Sequence, residues 1–490
     1  MKRILAQIRL RILGAAFLMI FVQALAAGAV TRGEFLSKLL QARGLSGELA
    51  RGETAAAFVL RTGLVTDSVT NLNTQVTRRE ALRWGVQSLG LSFEAGIFSN
   101  MGSGFGDAGN LTDFERGCLF VAARMEPALL TESGNFRGGQ RLTEKESAAF
   151  LQKVERASRG LTLDVTFTPL EGMTLYIHRD GVPTGIPRWR VCADGFEDKD
   201  AADVARKYFK SRGFDMSPLH PLYEWFLRTS LLDNYGEVQR LTALIKKRGL
   251  KFRILPSLSN ANLEIAPRYW ALLKIDPTYW HIAPIVPKDG PRALTPLSKI
   301  AKTEGVNAAL NAGFFAVTGK NRGYPIGALR VNGELMNAPY NGRSCLGWND
   351  EDEMLLGLTD SVDSELWGEM PHVIQAGPLL LDDGEPRRDP EGFSNAILSA
   401  RHPRSVVGLT EEGEWFFLVV DGRNGLHASG ATLAELTEIL RSCGAFCALN
   451  LDGGGSTELI VNGKLYNSPS EGKERSISYG LGVRAREEAY

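Results

Sequence analysis

The sequence predicts an α+β multi-domain protein, and three observations carry that reading. Residues 27–157 hold Thr-x-x-Glu tetrads, each followed by apolar residues at helical spacing, which predicts an all-α region. Residues 187–256 contain two strand–helix–strand patterns in tandem, which predicts a β-α-β-β-α-β pair. From 258 to 490 apolar strands alternate with Gly-rich turns, which predicts a mixed β-sheet domain with flanking helices. At 490 residues the chain is long enough for several separate cores.

The first 26 residues stand apart. Lys2, Arg3, Arg9 and Arg11 precede an apolar run from Ile12 to Ala26 that ends Ala24-Leu25-Ala26, the pattern of a cleaved secretory signal. The alternative is an uncleaved N-terminal anchor, and both predict an exported protein in the cell envelope or outside the cell. No later segment approaches the ~18 apolar residues of a membrane span. Lys+Arg and Asp+Glu are both 56, so nothing in the charge points to nucleic acid. The five cysteines are too sparse for a disulfide framework, and Cys443 and Cys447 read as small packed apolar groups. The six histidines do not pair at ligand spacing. No cofactor is expected, although a structural divalent cation is compatible with the sequence.

In the helical region the tetrads are Thr31 to Glu34, Thr77 to Glu80 and Thr143 to Glu146. Each is a capping box, in which the Thr and Glu side chains satisfy orphan N–H donors at a helix start. Together with Phe105-Gly-Asp107, the Thr-Arg-x-Glu recurrence resembles S-layer homology repeats. That resemblance implies attachment to cell-wall polysaccharide. The third copy departs from the signature, with Glu144 in place of Arg, and the tetrads are 46 and then 66 residues apart.

Residues 158–186 are expected to be a linker. Beyond them, Arg188-Trp-Arg-Val-Cys-Ala193 and Glu224-Trp-Phe-Leu-Arg-Thr229 lie 36 residues apart with Trp189 and Trp225 in register. Each is followed by an amphipathic helix ending at Gly213 or Gly249, where glycine supplies a left-handed cap. The pair resembles tandem SPOR modules, which implies binding to peptidoglycan glycan strands. A plain β-α-β-β-α-β spacer without a ligand fits the residues equally well.

Polar clusters in the last domain each follow an apolar strand, which is how a scaffold presents a site. They are Asn311-Ala-Gly-Phe-Phe315, Gln375-Ala-Gly-Pro-Leu379, Arg401-His-Pro-Arg-Ser405, Val419-Val-Asp-Gly-Arg423 and Asn450-Leu-Asp-Gly-Gly-Gly-Ser-Thr457, with Glu474-Arg475 near the end. In the fifth, three glycines let backbone N–H groups approach a ligand, and Asp452 stands at the mouth. A structural turn is the alternative for that stretch taken alone. In this order the clusters resemble the phosphodiester glycosidase family, over roughly 258–486. The resemblance implies hydrolysis of a glycosyl 1-phosphodiester, with N-acetylglucosamine as the model sugar. Glu458, just past the elbow, departs from the small or apolar residue expected there.

The chemistry required is carboxylate help at the sugar C1 and cations for the phosphate. Asp452 and Asp421 are the candidate carboxylates, and Asn311 is a candidate for orienting water or a sugar hydroxyl, with bracing a turn as its alternative. Arg401 and Arg475 are the favoured phosphate ligands, because guanidinium grips phosphate through a bidentate fork. Arg404 and Arg423 read as structural ion-pair partners. Gly453, Gly454, Gly455, Ser456 and Thr457 are candidates for holding phosphate or sugar hydroxyls. His402 reads as a strand cap rather than a base, Phe314 and Phe315 as core with one free to stack, and Asp382-Asp383-Gly384 as a hairpin turn. The expected partners are cell-wall polysaccharide or peptidoglycan glycan strands and a sugar-phosphate substrate. Two other readings stay open: a non-catalytic binder of wall glycan or exopolysaccharide that uses the same pocket, and a metal-assisted phosphodiesterase that cleaves P–O.

Overall fold

The computed structural model describes residues 28–486, apart from 132–133, 221–223, 260, 263–264, 341, 352 and 359–364. The expected signal peptide lies outside the described residues. The chain forms two compact units that divide between Leu161 and Thr162.

The first unit is helical. Thr31, Thr77 and Thr143 cap the helices Arg32–Ala42, Arg78–Ser88 and Glu144–Ala157 through complete capping boxes. The residues just before the three tetrads close a ring: Val76 N–H donates to the Val30 carbonyl, Leu142 to Val76 and Val30 to Leu142, at 2.9, 3.0 and 3.3 Å. The three copies are thus arranged cyclically. Arg32 of the first tetrad pairs with Glu80 of the second at 2.5 Å, and the copy with Glu144 has no arginine to do the same. A fourth capping box, Thr112 with Glu115, starts Asp113–Arg124 and escaped the sequence reading. Ahead of it, Asp107 accepts the N–H groups of Phe136 and Arg137, so the Phe-Gly-Asp turn pins a distant loop.

The second unit corrects the expected linker. Residues Thr162–Leu170 and Met173–Asp180 are strands, and the latter pairs antiparallel with Arg268–Ile275. The reason is local. Leu163, Val165, Met173, Leu175 and Ile177 are buried in strict alternation, and Gly172 makes the turn at φ 70°. These strands begin an eight-stranded sheet that continues through Arg268–Ile275, Trp415–Val420, Arg404–Thr410, Ala445–Asn450, Leu379–Asp382 and Glu385–Pro386. The β-α-β-β-α-β module is therefore inserted between the second and third strands of the sheet domain.

The module has the expected order. Its sheet runs Met216–Leu219, Trp225–Thr229, Ile186–Phe196, Lys251–Ser259, antiparallel throughout. Lys199–Lys210 and Tyr235–Lys247 bury Phe209, Val238 and Leu241 against Val191, Ala193 and Leu227 on one face. Gly213 and Gly249 take φ of 86° and 69° after the helices, as their capping role requires.

Besides a two-stranded pairing of Thr295–Pro296 with Ser476–Ile477, two further five-stranded sheets complete the unit. One places Ala308–Asn311 between Leu459–Val461 and Gly480–Ala485, and the other is built around His372–Gln375. Asp383 and Gly384 take φ of 52° and 74° in the hairpin between Leu379–Asp382 and Glu385–Pro386. Cys118, Cys192, Cys345, Cys443 and Cys447 are all free thiols, and all but Cys443 are buried. Among the described residues no helix is long and apolar enough to cross a membrane.

Candidate functional site

The Gly-rich elbow links the strand Ala445–Asn450 of the large sheet to Leu459–Val461 of a smaller one. The chain must therefore turn sharply between two sheets. Gly454 makes that turn at φ 64°, where a side chain would be strained. Asn311, at the end of Ala308–Asn311, holds the elbow from beneath. Its Nδ2 donates to the Asp452 carbonyl at 2.6 Å, and its Oδ1 accepts from Ser405 Oγ at 2.6 Å and Glu458 N–H at 3.1 Å. Every polar atom of this 1% exposed side chain is spoken for. Asn311 is a brace rather than a catalytic group.

Asp452 is partly buried, and its Oδ1 accepts the Gly453 N–H at 2.9 Å. Burial pushes its carboxyl above the ordinary value, against the opposing pull of the Ser456 hydroxyl, Arg475 and Arg423. Gly454 N–H is bound to the Pro403 carbonyl at 3.0 Å. The N–H groups of Gly453 and Gly454 thus hold the elbow's own shape rather than facing a ligand. Ser456 accepts from Arg475 Nη1 at 3.3 Å, while Thr457 is 1% exposed and turned inward.

The arginines sort differently from the sequence reading. Arg475 lies over the elbow: a methyl on Gly455 would stand 2.3 Å from its Nη2. It also pairs with Glu471, four residues back. Arg401 instead donates to Ser429 Oγ and the Gly430 carbonyl and pairs with Glu435, the capping-box acid of the helix Leu433–Ser442. The cation that joins Arg475 is Arg423, whose Nη1 would lie 3.0 Å from a methyl on Gly454. Arg423 has φ 60°, and that left-handed turn aims its side chain at the elbow. His402 Nδ1 sits 3.1 Å from Arg423 Nη2 and its Nε2 2.9 Å from the Ala396 carbonyl. That geometry fits a neutral imidazole protonated at Nε2, which orients Arg423 and has no free nitrogen to act as a base. Arg404 is structural, as expected, but donates to the carbonyls of Ala431, Ile397 and Ala400 rather than to an acid.

Asp421 leaves the site as well. At 1% exposure its Oδ1 accepts from Asn467 Nδ2 at 2.9 Å, and its Oδ2 accepts from His427 Nε2 at 2.8 Å and Ser468 N–H at 2.7 Å. It ties the end of Trp415–Val420 to the 466–468 segment. The carboxylate that stands beside Arg475 is Glu471, which sequence reasoning missed. Its position four residues before Arg475 was the available signal.

Phe315 is buried in the core, whereas Phe314 packs against Phe393 at 5.4 Å with the Arg343 guanidinium 5.3 Å above its ring. Among the described residues no group of three or more His, Cys, Asp or Glu is placed to hold a metal ion.

Glu458 is fully buried. Its Oε1 accepts the Arg475 N–H at 2.9 Å, and its Oε2 has no hydrogen-bond partner. Desolvation, reinforced by Glu474, raises its carboxyl well above the ordinary value. The folded state therefore binds a proton that the unfolded state has released, and stability falls as pH rises from about 4.5 through the raised value. Glu458→Gln keeps the acceptor and removes the charge. Its denaturation midpoint is expected to match the parent near pH 4 and exceed it at pH 8. A variant less stable at both values would contradict this account.

Known proteins resemble the part of the chain that carries this site. Residues 304–484 match the phosphodiester glycosidase family model. The chain is 29% identical over 180 residues to the prophage-derived protein YomE of Bacillus subtilis, covering 36% of this chain and 28% of that protein. It is 29% identical over 187 residues to N-acetylglucosamine-1-phosphodiester alpha-N-acetylglucosaminidase of Bos taurus, covering 36% and 35%. The chain thus spans about a third of the length of the curated relatives it matches. Among solved structures, the catalytic domain of the zebrafish N-acetylglucosamine-1-phosphodiester alpha-N-acetylglucosaminidase aligns at 22% identity and a TM-score of 0.39, covering 46% of this chain and 80% of that one. Over residues 304–484 this chain is thus similar to phosphodiester glycosidase domains.

Proposed function

We propose that the protein is an exported cell-envelope hydrolase that cleaves a glycosyl 1-phosphodiester, N-acetylglucosamine-like in its sugar, at the C1–O bond. The observation that carries this reading is the elbow itself, with a carboxyl of raised pKa flanked by two guanidiniums. Arg423 and Arg475 would grip the phosphate, which leaves as a monoester with a second pKa near 6 and needs little protonation. Asp452 would activate water or support positive charge at C1, and its raised pKa moves it toward the range where a base works best. Glu471 stands as the second carboxylate. The cyclic helical unit would attach the protein to wall polysaccharide in the manner of S-layer homology repeats, and the inserted module would bear on glycan strands as SPOR modules do.

The test follows free sugar and sugar phosphate separately. The chain from residue 27 would be given UDP-N-acetylglucosamine and the methyl phosphodiester of α-N-acetylglucosamine 1-phosphate. Free sugar supports C–O cleavage, and sugar phosphate means P–O cleavage. The non-catalytic reading gains one observation, the withdrawal of Asp421 into a structural role, and absence of either product would favour it. The arginine assignment has its own measurement. Arg423→Ala is expected to raise KM for the diester about tenfold, the loss of one charge-assisted contact. Arg401→Ala is expected to leave KM within twofold and act on stability instead.

A further inference from the structure

One cavity of about 980 Å³ stands out, and it belongs to neither the elbow alone nor the module alone. The face of the module sheet that carries no helices forms one wall, and the 470–476 segment, with Arg423 and Arg475, forms the other. The alternation of the strands produces that wall. Val191, Ala193 and Leu227 turn toward the helices, which sends Arg190, Cys192, Asp194, Phe226 and Arg228 to the opposite face. The walls are fastened to each other. Arg253 forks onto Asp194 at 2.7 and 2.7 Å and donates to the Glu471 carbonyl at 2.6 Å, while Lys473 pairs with Glu224. Loop 470–476, which carries Arg475, therefore takes its position partly from the inserted module.

The charges in this cavity do not cancel. Arg253 is taken by Asp194, Lys473 by Glu224 and Arg475 by Glu471, which leaves Glu474, hydrogen-bonded to the neutral Ser298 N–H, as an acid of the lining set against Arg423 and the remaining cations. Arg190, Arg228 and Lys251 line the same space without an ion pair among the described residues. Arg190 and Arg228 are half-buried and Lys251 exposed, so their like charges face the same space with no acid between them. A site for an anion accounts for it.

We propose that this cavity is the aglycone subsite, built for a substrate that carries a second phosphate beyond the scissile diester, that is, a polyanionic phosphodiester chain. The proposal rests on the preceding reading for the placement of the first phosphate between Arg423 and Arg475. The cavity continues from those two residues, so the next anionic group along the chain would meet Arg190 and Arg228. Phe226, on the same face with the Arg253 guanidinium 4.9 Å over its ring, adds apolar surface beside the path of the polyol or sugar between the phosphates. The inserted module is then part of the substrate cleft, and the size of the cavity lies at the upper end of the range for small-ligand pockets.

The experiment has two arms, both with the full chain. In the first, a synthetic glycerol phosphate trimer is titrated calorimetrically at low and moderate salt. Binding is expected to weaken with salt and to fall at least tenfold in Arg190→Ala/Arg228→Ala. Arg190→Lys/Arg228→Lys should recover most of it, and Arg206→Ala/Arg212→Ala, on the helix side of the module, should leave it unchanged. In the second arm, kcat/KM of Arg190→Ala/Arg228→Ala is compared on two diesters. It should hold for the methyl diester and drop about tenfold for one extended by the trimer. An unbound trimer, or equal binding by parent and alanine variant, would overturn the proposal. Charge-dependent binding with no turnover of either diester would instead sink the hydrolase reading and leave the anionic cleft standing.

Discussion

Asp452→Asn is expected to lower kcat on the sugar phosphodiester by about 10³-fold, within the range for loss of a positioned acid–base group. Its effect on stability should be small, for a structural reason. The elbow is held by the Gly454 N–H donating to the Pro403 carbonyl and by Asn311 Nδ2 donating to the Asp452 carbonyl, and the substitution touches neither. The amide also keeps an oxygen to accept the Gly453 N–H. Because burial already disfavours the carboxylate, removing its charge costs the fold little. The same raised value sets the pH dependence. If Asp452 works ionised, kcat/KM must fall on the acid side with an apparent pKa above 3.8, and the variant must lose that limb. Activity that survives in Asp452→Asn with its acid limb intact would transfer the role to Glu471, and Glu471→Gln would then be the variant to measure.

The contrast between what the sequence disclosed and what it hid follows from the range of the forces involved. Capping boxes at Thr31, Thr77 and Thr143 are legible because the partners are three residues apart, and the structure forms all of them. The place of the elbow is legible for the same reason, since its glycines lie between two apolar runs and the structure forms both as strands. The exchange of Arg401 for Arg423 was not legible. Arg401 is captured by Glu435, 34 residues away, and Arg423 is aimed by a backbone angle that its neighbours do not announce. The place of Asp421, and the choice between the two readings of Asn311, were not legible for a related reason. A polar residue at the end of a strand looks the same whether it faces a ligand or the underside of a loop, and only the donors from Asn467, Ser468 and Ser405 tell the two apart. The strands within 158–186 carry a legible signal. Their alternation of buried Leu163 and Val165, then Met173, Leu175 and Ile177, is the period-two signal of a half-buried sheet.

Asp421→Asn supplies the opposite result to Asp452→Asn, and the pair separates brace from catalyst. Three donors converge on the two oxygens of Asp421, and they come from a side-chain amide, an imidazole and a backbone N–H. An amide in its place must turn its NH₂ toward Asn467 or toward His427 and Ser468, so in either orientation a donor meets a donor in the core. Removing one partner from a buried charged network costs about 3–5 kcal/mol, a sizeable part of a typical domain's stability. The loss should appear as a fall in the denaturant midpoint of the second unit, with the first unit unaffected. The folded fraction that remains should still turn over substrate, because Asp421 is reached by Asn467, His427 and Ser468 rather than by the elbow. A variant that folds like the parent but has lost kcat would return Asp421 to the catalytic pair and undo the assignment of Glu471.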